Sequence, residues 1–260
     1  IIITAPLLRH FKNTNIMINF HQFAAPSRFY ALSQHIQPII SWLALVCFVT
    51  ASLWALFYSP PDRFQGDSVR IMYWHVPAAF LSMGIYFMMA VSAVIALVWR
   101  IRLAFMVIHS AALIGAAFTF LALTSGAIWG KPTWGSWWVW DARLTSELVL
   151  LFVYLGLIGL HDAYGNRHDQ GDRACAILTL VGVINLPIIH GSVLWWHTLH
   201  QPPSLSKFSK PSIDDSLLWP LLLMILAYAL IFFSLLLYNL QNRIIEREQH
   251  SDWLKQQLAT

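Results

Sequence analysis

The chain has 260 residues, of which 58% are hydrophobic and only 11% are charged. Soluble globular domains carry about 25% charged residues, so this composition excludes a soluble domain and predicts a protein of the lipid bilayer. The net charge of +4 and the pI near 9.2 are explained by unequal charge on the two sides of the membrane, and no nucleic-acid partner is expected.

Three parts of the chain are distinguished by composition. Residues 1–35 are predicted to form a cytoplasmic N-terminal segment, in which the residues before Met17 are interpreted as an upstream extension or a non-native addition. No cleavable signal peptide is expected. The first apolar run has the length of a full span, follows a long polar N-terminal segment and lacks a small-residue cleavage pattern. Residues 36–240 are predicted to form one transmembrane domain, and residues 241–260 a cytoplasmic tail.

Six apolar stretches between charged residues predict an all-α, polytopic integral membrane protein with six transmembrane helices. A spanning helix needs about 20 largely apolar residues, which five of the stretches exceed. The fourth is long enough only if its helix begins near Leu144, and this start places Glu147 about one turn inside the helix. That carboxylate is either a functional group or the partner of Arg143. The stretches are Phe29 to Pro61, Ile71 to Trp99, Leu103 to Gly130, Leu148 to His161, Ala174 to Ser206 and Ser216 to Asn242.

The distribution of Lys and Arg predicts the orientation. Six spans place both termini on one side and the loops after spans one, three and five on the other side, which we call the outer face. Ten of the sixteen Lys and Arg residues lie on the termini and the even loops, with Arg100 and Arg102 in the very short second loop. Because cytoplasmic loops carry an excess of Lys and Arg, the termini are predicted to be cytoplasmic. A Gram-negative inner membrane is expected, which makes the outer face periplasmic.

The segment between spans three and four is unusually rich in tryptophan. We call residues 129–144, WGKPTWGSWWVWDARL, the Trp segment and expect it to be an external loop. Indole rings are costly to bury completely and seek a partner for their N–H, so this density favours a broad, flat, apolar ligand. The alternative is an aromatic belt at headgroup depth. Asp141 is interpreted as the N-cap of helix 4 or as a link to Arg143. The five tryptophans are Trp129, Trp134, Trp137, Trp138 and Trp140.

Two of the eleven histidines are predicted to share the outer face with the Trp segment. His75 begins span two in YWHVPAAF, and His200 follows span five in WWHTLHQPP, where two prolines stop the helix. His190 and His197 lie near His200, and spacing does not choose among the three. An isolated histidine at a helix end is more often a surface residue than a ligand. Seven other histidines belong to the termini or to the ends and loops on the cytoplasmic side, and are therefore excluded from this site: His10, His21, His35, His109, His161, His168 and His250.

Two converging imidazoles beside a group of indoles suit a haem, whose iron takes axial His ligands and whose porphyrin needs flat apolar contacts. Zinc fits less well, because the outer face offers histidines without thiolates or a clear carboxylate spacing. Haem propionates would seek outer-face cations, for which Arg70, Lys131 and Arg143 are the candidates. Cys47 and Cys175 belong to no C-x-x-C or C-x-x-C-H motif, so neither covalent c-type haem nor thiol exchange is expected.

The stretch WGKPTWGSWWVWDARLTSELVLLFVY closely resembles the tryptophan-rich WWD signature of haem-handling proteins in cytochrome c maturation. The length, the six spans, YWHVPAA and WWHTLHQ are similar to the CcmC family in particular, over roughly Pro26 to Leu240. The CcmF and CcsA-type families are larger or carry more spans. Two features depart from the family pattern: His197 stands where Asn is expected, and the residues before Met17 lie outside it.

The resemblance implies that His75 and His200 are the axial ligands of a non-covalently bound haem b in transit. It assigns the five tryptophans and Asp141 to the external haem-binding segment. Haem would be held at the periplasmic face and transferred to the haem chaperone CcmE, with CcmD and the ABC transporter subunits CcmA and CcmB as complex partners. The implied protein binds and transfers haem and is not an enzyme.

Two other functions are kept as alternatives. A b-type cytochrome subunit for electron transfer is also all-helical with bis-His haem, but such proteins usually set their ligands within spans, whereas His75 and His200 lie at span ends. A transporter or channel would use membrane histidines to relay protons or substrate. The sequence shows neither paired interrupted helices nor internal symmetry in support of it.

Overall fold

The computed structural model describes residues 25–165, 167–196, 198–200 and 213–258, and within these ranges the regular structure is helical. A π-helical turn at Trp54–Tyr58 extends the first helix, and a 3-10 turn at Asp67–Ile71 leads into the second. The helices are α1 (Pro26–Leu53), α2 (Met72–Trp99), α3 (Arg102–Trp134), α4 (Ala142–Tyr164), α5 (His168–Gly182), α6 (Asn185–Trp195), α7 (Asp215–Glu248) and α8 (Asp252–Leu258).

Six helical segments of the described chain are long and apolar enough to cross a membrane, which confirms the predicted all-α polytopic fold. The shortest is Ala142–Tyr164 with 23 residues. At 1.5 Å per residue this helix is about 35 Å long, and the hydrocarbon core of a bilayer is about 30 Å thick. α4 begins two residues before the predicted start, so that Glu147 lies in its second turn.

Helix α3 is the centre of the bundle. Of its most apolar stretch 72% is buried inside the protein, against 17% for α1 at the periphery. α3 packs against α2, α4, α5 and α7, while α1 packs chiefly on α7. Small residues permit this close packing: a Cβ at Gly115 would lie 2.2 Å from the Tyr154 ring of α4. The central position of α3 explains why its outer end can contact several other elements at once.

The Trp segment is helical at both ends. α3 continues through Trp129 to Trp134, and α4 begins at Ala142, so the non-helical part of the segment is residues 135–141. Gly135 ends α3 with a φ of 78°, a left-handed conformation that glycine adopts without steric cost. The connection between α3 and α4 is therefore short, and two of the five tryptophans are carried by a helix.

The fifth span is broken between α5 and α6. Pro187 has no N–H to donate to the carbonyl of Val183 and its ring crowds that oxygen, which explains a break at this level. Asn185 Nδ2 donates to the carbonyl oxygen of Ser146 on α4 at 2.8 Å. This bond fixes the start of α6 against α4 and thereby directs its outer end, beyond which His200 lies.

A polar network joins the inner ends of four helices, far from the Trp segment. Both carboxylate oxygens of Asp172 accept from Arg247 at 2.7 Å, and Oδ1 lies 2.9 Å from His109 Nε2. The His161 ring lies 4.0 Å from the His109 ring between centroids. The network therefore consists of the ion pair between Arg247 and Asp172, the hydrogen bond from His109 and the ring contact with His161. His109 is 20 residues, or about 30 Å of helix, from Trp129, which agrees with its predicted exclusion from the outer site.

Candidate functional site

His75 lies in the first turn of α2 and faces α3. Its ring packs edge-on against Trp129, with the centroids 5.7 Å apart. Nδ1 lies 3.0 Å from the carbonyl oxygen of Ala122 and 3.2 Å from Ser125 Oγ. Since a carbonyl only accepts, Nδ1 carries the proton and Nε2 keeps its lone pair. The Ser125 hydroxyl donates to the carbonyl of Leu121 at 2.5 Å, so its oxygen can accept from the imidazole.

Sequence reasoning missed the surface of α3 that receives this imidazole. A Cβ on Gly126 would lie only 2.9 Å from His75 Cε1, so the glycine provides the space that the ring occupies. Ala122, Ser125, Gly126 and Trp129 recur at helical spacings of three and four and therefore share one face of α3. Gly126 and Ser125 lie three and four residues before Trp129, and this helical spacing could have identified them from the sequence.

His200 lies just beyond α6 and is placed by side chains of the Trp segment. Its Nδ1 is 3.2 Å from Asp141 Oδ2, and its ring packs against Trp134 with the centroids 4.8 Å apart. Its backbone N–H donates to Thr198 Oγ1 at 3.1 Å. As for His75, the Nδ1 position is engaged by an acceptor, which leaves the lone pair on Nε2.

Asp141 has two partners, one for each carboxylate oxygen. Oδ1 accepts from the backbone N–H of Leu144 at 2.8 Å, which confirms the predicted N-cap of α4. Oδ2 contacts His200, and among the described ion pairs Asp141 has none with Arg143. The hydrogen-bond partner of this second oxygen is therefore the histidine, in place of the predicted Arg143.

Arg143 and Glu147 do not form the ion pair that their spacing suggested. The guanidinium of Arg143 donates to the carbonyl of Ile189 on α6 at 3.4 Å. The carboxylate of Glu147 is buried and accepts from Ser82 Oγ on α2 at 2.6 Å. The two side chains thus connect α4 to different helices, and no ion pair between them is found among the described residues.

Burial favours the neutral form of the His200 imidazole. Burial is the largest influence and lowers its pKa below the ordinary 6.5; Asp141 raises it and Arg143 lowers it, with a net decrease. A neutral imidazole is the form that ligates metals, so His200 is suited to coordination at neutral pH.

The tryptophans differ in exposure and in their hydrogen bonds. Trp129 Nε1 donates to Gln65 Oε1 at 2.8 Å, which ties the first outer loop to α3. Trp138 packs edge-on against Trp140 at 5.3 Å between centroids, and its buried Nε1 has no hydrogen-bond partner. The Trp137 and Trp140 rings are 57% and 77% exposed. The segment therefore presents exposed indole faces together with one buried donor that is free to bind an oxygen atom.

The remaining candidates lie at the edge of this arrangement. Arg70 donates to the backbone carbonyls of Leu56 and Ser59 and pairs with Asp67 at 3.2 Å. In the described contacts it reaches neither His75 nor His200.

Lys131 is exposed, and its Nζ donates to the carbonyl of Gly135 at 3.0 Å, at the end of α3. His190 is exposed on α6, and His197 lies outside the described residues. The structure thus brings His75, His200 and Arg143 together with the Trp segment and leaves Arg70 and Lys131 bound to backbone oxygens nearby.

Comparison with known proteins identifies the family. The family model described as CcmC, Heme exporter protein C, matches residues 19–255. A Heme exporter protein C of Haemophilus influenzae is 45% identical over 235 residues, which cover 90% of this chain and 95% of the relative. That of Escherichia coli K12 is 47% identical over 236 residues, 91% and 95% of the two chains. That of Bradyrhizobium diazoefficiens is 47% identical over 230 residues, 88% and 86%.

These matches run through both histidine motifs and the Trp segment and cover nearly the whole of each relative. The chain, with six helical segments able to span a membrane, is therefore a member of the CcmC family, heme exporter protein C.

Proposed function

We propose that this protein handles haem in cytochrome c maturation: it binds haem at its outer face between His75 and His200 and transfers it to the haem chaperone CcmE. The observation that carries the proposal is that both imidazoles adjoin the Trp segment with Nδ1 engaged and Nε2 unpaired in the described contacts. The name of the relatives, heme exporter protein C, supports haem as the cargo.

The donor set fits haem. Iron takes two axial imidazoles, and the macrocycle takes flat apolar contacts, for which Trp129 and Trp134 stand beside the two ligands. The unpartnered Nε1–H of Trp138 and the guanidinium of Arg143 are suited to bind propionate oxygens. Bound haem would therefore be oriented by its iron at the centre and by its carboxylates at one edge.

The position of the site suits transfer. His75 lies in the first turn of a helix and His200 beyond the end of another, so the ligands are at the membrane boundary. A cytochrome that only carries electrons can bury its haem, whereas a donor protein must leave an edge accessible to the acceptor. The exposed Trp137 and Trp140 rings provide such an open edge. Release then proceeds by ligand exchange, in which a donor atom of the acceptor replaces one axial imidazole.

The same proposal includes orientation and partners. We place the chain in a bacterial inner membrane with the haem site periplasmic and residues 1–35 and 241–260 cytoplasmic, because Lys and Arg are in excess on the side of the termini. Large exposed apolar side chains on α1, such as Trp42 and Val46, are suited to contact lipid. CcmD and the ABC transporter formed by CcmA and CcmB are the proposed complex partners, by resemblance.

The test compares the wild type with His75→Ala, His200→Ala and the double variant. We expect the wild type purified with haem to show the absorbance of low-spin, bis-His iron. Each single variant should lose this spectrum because one axial position opens, and the double variant should deliver no haem to the apo-chaperone. His190→Ala is the matched control, since His190 is exposed on α6 and should leave spectrum and delivery unchanged.

Wild-type spectra in both single variants would contradict the assignment of the ligands. The transfer step has a separate readout: mixing the haem-loaded protein with apo-CcmE in a stopped-flow instrument should abolish the bis-His spectrum at the rate of transfer. A spectrum that stays constant while haem moves to the chaperone would rule out ligand exchange.

A further inference from the structure

The two histidines of the site are held by chemically different acceptors. His75 Nδ1 faces two neutral oxygens, the carbonyl of Ala122 at 3.0 Å and the hydroxyl of Ser125 at 3.2 Å. His200 Nδ1 faces the carboxylate of Asp141 at 3.2 Å. The imidazoles therefore differ in the charge of the group behind them, although both present Nε2 as the free nitrogen.

The carboxylate that contacts His200 is held in place by burial and by a second hydrogen bond. The Asp141 side chain is only 6% exposed, and its second oxygen accepts from the Leu144 N–H at the start of α4. A helix N-terminus interacts favourably with a carboxylate at its cap. Its Oδ2 atom is consequently held in one place as an anionic acceptor for the imidazole.

The contact with Asp141 orients His200, whereas His75 is oriented by its own helix. His75 is part of α2, so the helix backbone orients it. His200 lies beyond the end of α6, and its described side-chain contacts are the Trp134 ring and Asp141. Asp141 thus supplies both the direction and the tautomer of a ligand that no helix holds.

A carboxylate that accepts from a ligating imidazole raises its strength as a ligand more than a neutral oxygen does. We infer that Asp141 is a positioning residue that makes His200 the stronger axial ligand, so that His75 is the imidazole that leaves the iron when haem is transferred. This inference rests on the proposed function and specifies the order of its ligand exchange. Haem would stay bound through His200 while the acceptor enters on the His75 side.

The experiment uses Asp141→Asn in the full-length, haem-loaded protein. Asn caps helices as well as Asp does, so α4 should keep its start while the charge behind His200 is lost. Loss of such a partner lowers metal affinity about 10- to 100-fold. Ferric iron depends more on an anionic second shell than ferrous iron does. A tenfold larger loss for ferric haem would raise the reduction potential by about 59 mV.

Ser125→Ala is the matched variant on the other side of the haem. The Ala122 carbonyl remains as an acceptor, so the potential should change little, while loss of one neutral hydrogen bond should make His75 leave roughly fivefold faster. Replacement of an imidazole by cyanide on the ferric protein measures this rate. We expect cyanide exchange to accelerate in Ser125→Ala, because His75 is the leaving ligand.

The reverse pattern would overturn the inference. Cyanide exchange that does not accelerate in Ser125→Ala would contradict the assignment of His75 as the leaving ligand. An unchanged potential in Asp141→Asn would remove the role of the charge. A wild type without bis-His haem would instead refute the proposed function, so the two failures are distinguishable.

Discussion

Single side chains at the outer face decide whether two imidazoles can reach one ligand. His75 needs an acceptor for Nδ1, space for its ring and an aromatic neighbour, and one face of α3 supplies all three through Ser125, Gly126 and Trp129. The glycine is the most demanding of these, because a side chain of any size would meet the imidazole.

Gly126→Ala should displace the imidazole without unfolding the helix. The added Cβ would lie 2.9 Å from His75 Cε1, and that atom is at the far end of a side chain that can rotate away. Ala stabilises a helix interior by about 1 kcal/mol relative to Gly, so the fold should persist. We expect haem titration to show at least a tenfold weaker affinity and loss of the bis-His spectrum, of the size seen when a metal site is disturbed.

Gly84→Ala on α2 is the control for this substitution, since a Cβ there meets nothing within 4 Å. It should bind haem as the wild type does. If Gly126→Ala bound haem with unchanged affinity and spectrum, the orientation of His75 described above would not be the one that ligates.

Among the helices, the polar network around Asp172 at the inner end has a structural role. Asp172 on α5 and Arg247 on α7 are both largely buried, and His109 on α3 adds a third helix. The outer site depends on the same helices only through the bundle, because the network lies about 30 Å away along α3. Stability and haem binding should therefore respond to different substitutions.

Asp172→Ala tests the contribution of this network. Removal of the carboxylate leaves the Arg247 guanidinium and the His109 imidazole without their partner in a buried position, which costs about 3–5 kcal/mol. We expect the free energy of unfolding in detergent to fall by this amount, measured by denaturant titration. Haem affinity of the folded fraction should be unchanged.

Asp162→Ala provides the comparison. Asp162 is 75% exposed and lies 3.5 Å from His161, and exposed pairs contribute about 0–1 kcal/mol. Equal losses of unfolding free energy in Asp172→Ala and Asp162→Ala would contradict a stabilising role for the buried network around Asp172.

For the whole molecule, orientation in the membrane decides which face receives haem. The first outer loop carries Phe64, which is 91% exposed, and the opposite end of the bundle carries Lys255 on α8, whose side chain is 62% exposed. With Cys47 and Cys175 replaced by Ala, Phe64→Cys in intact cells should react with a membrane-impermeant maleimide. Lys255→Cys should react only after the inner membrane is opened.

Labelling of both positions after lysis is the control for accessibility. Reaction of Lys255→Cys in intact cells, with Phe64→Cys protected, would reverse the proposed orientation and place the Trp segment in the cytoplasm.

Much of the architecture was predictable because bilayer physics acts on local composition. An apolar run of about 20 residues must form a helix in lipid, where every backbone group needs an internal partner. The six spans, the N-cap at Asp141 and the common face of His75 and the Trp segment follow from such local signals. The helical continuation of α3 to Trp134 was missed, because the third apolar stretch was bounded by the charged Lys131, and a charge does not end a helix.

The amino-acid sequence alone determined the number of spans and the set of residues brought to the outer face. Both follow from hydropathy and from the alternation of sides with successive spans, which do not depend on how the helices pack. Only the tertiary structure decided the partners: Asp141 with His200 instead of Arg143, and Glu147 with Ser82. These contacts join residues 59 and 65 positions apart, and which side chains meet across such a separation depends on how the helices rotate and pack, which no local pattern specifies.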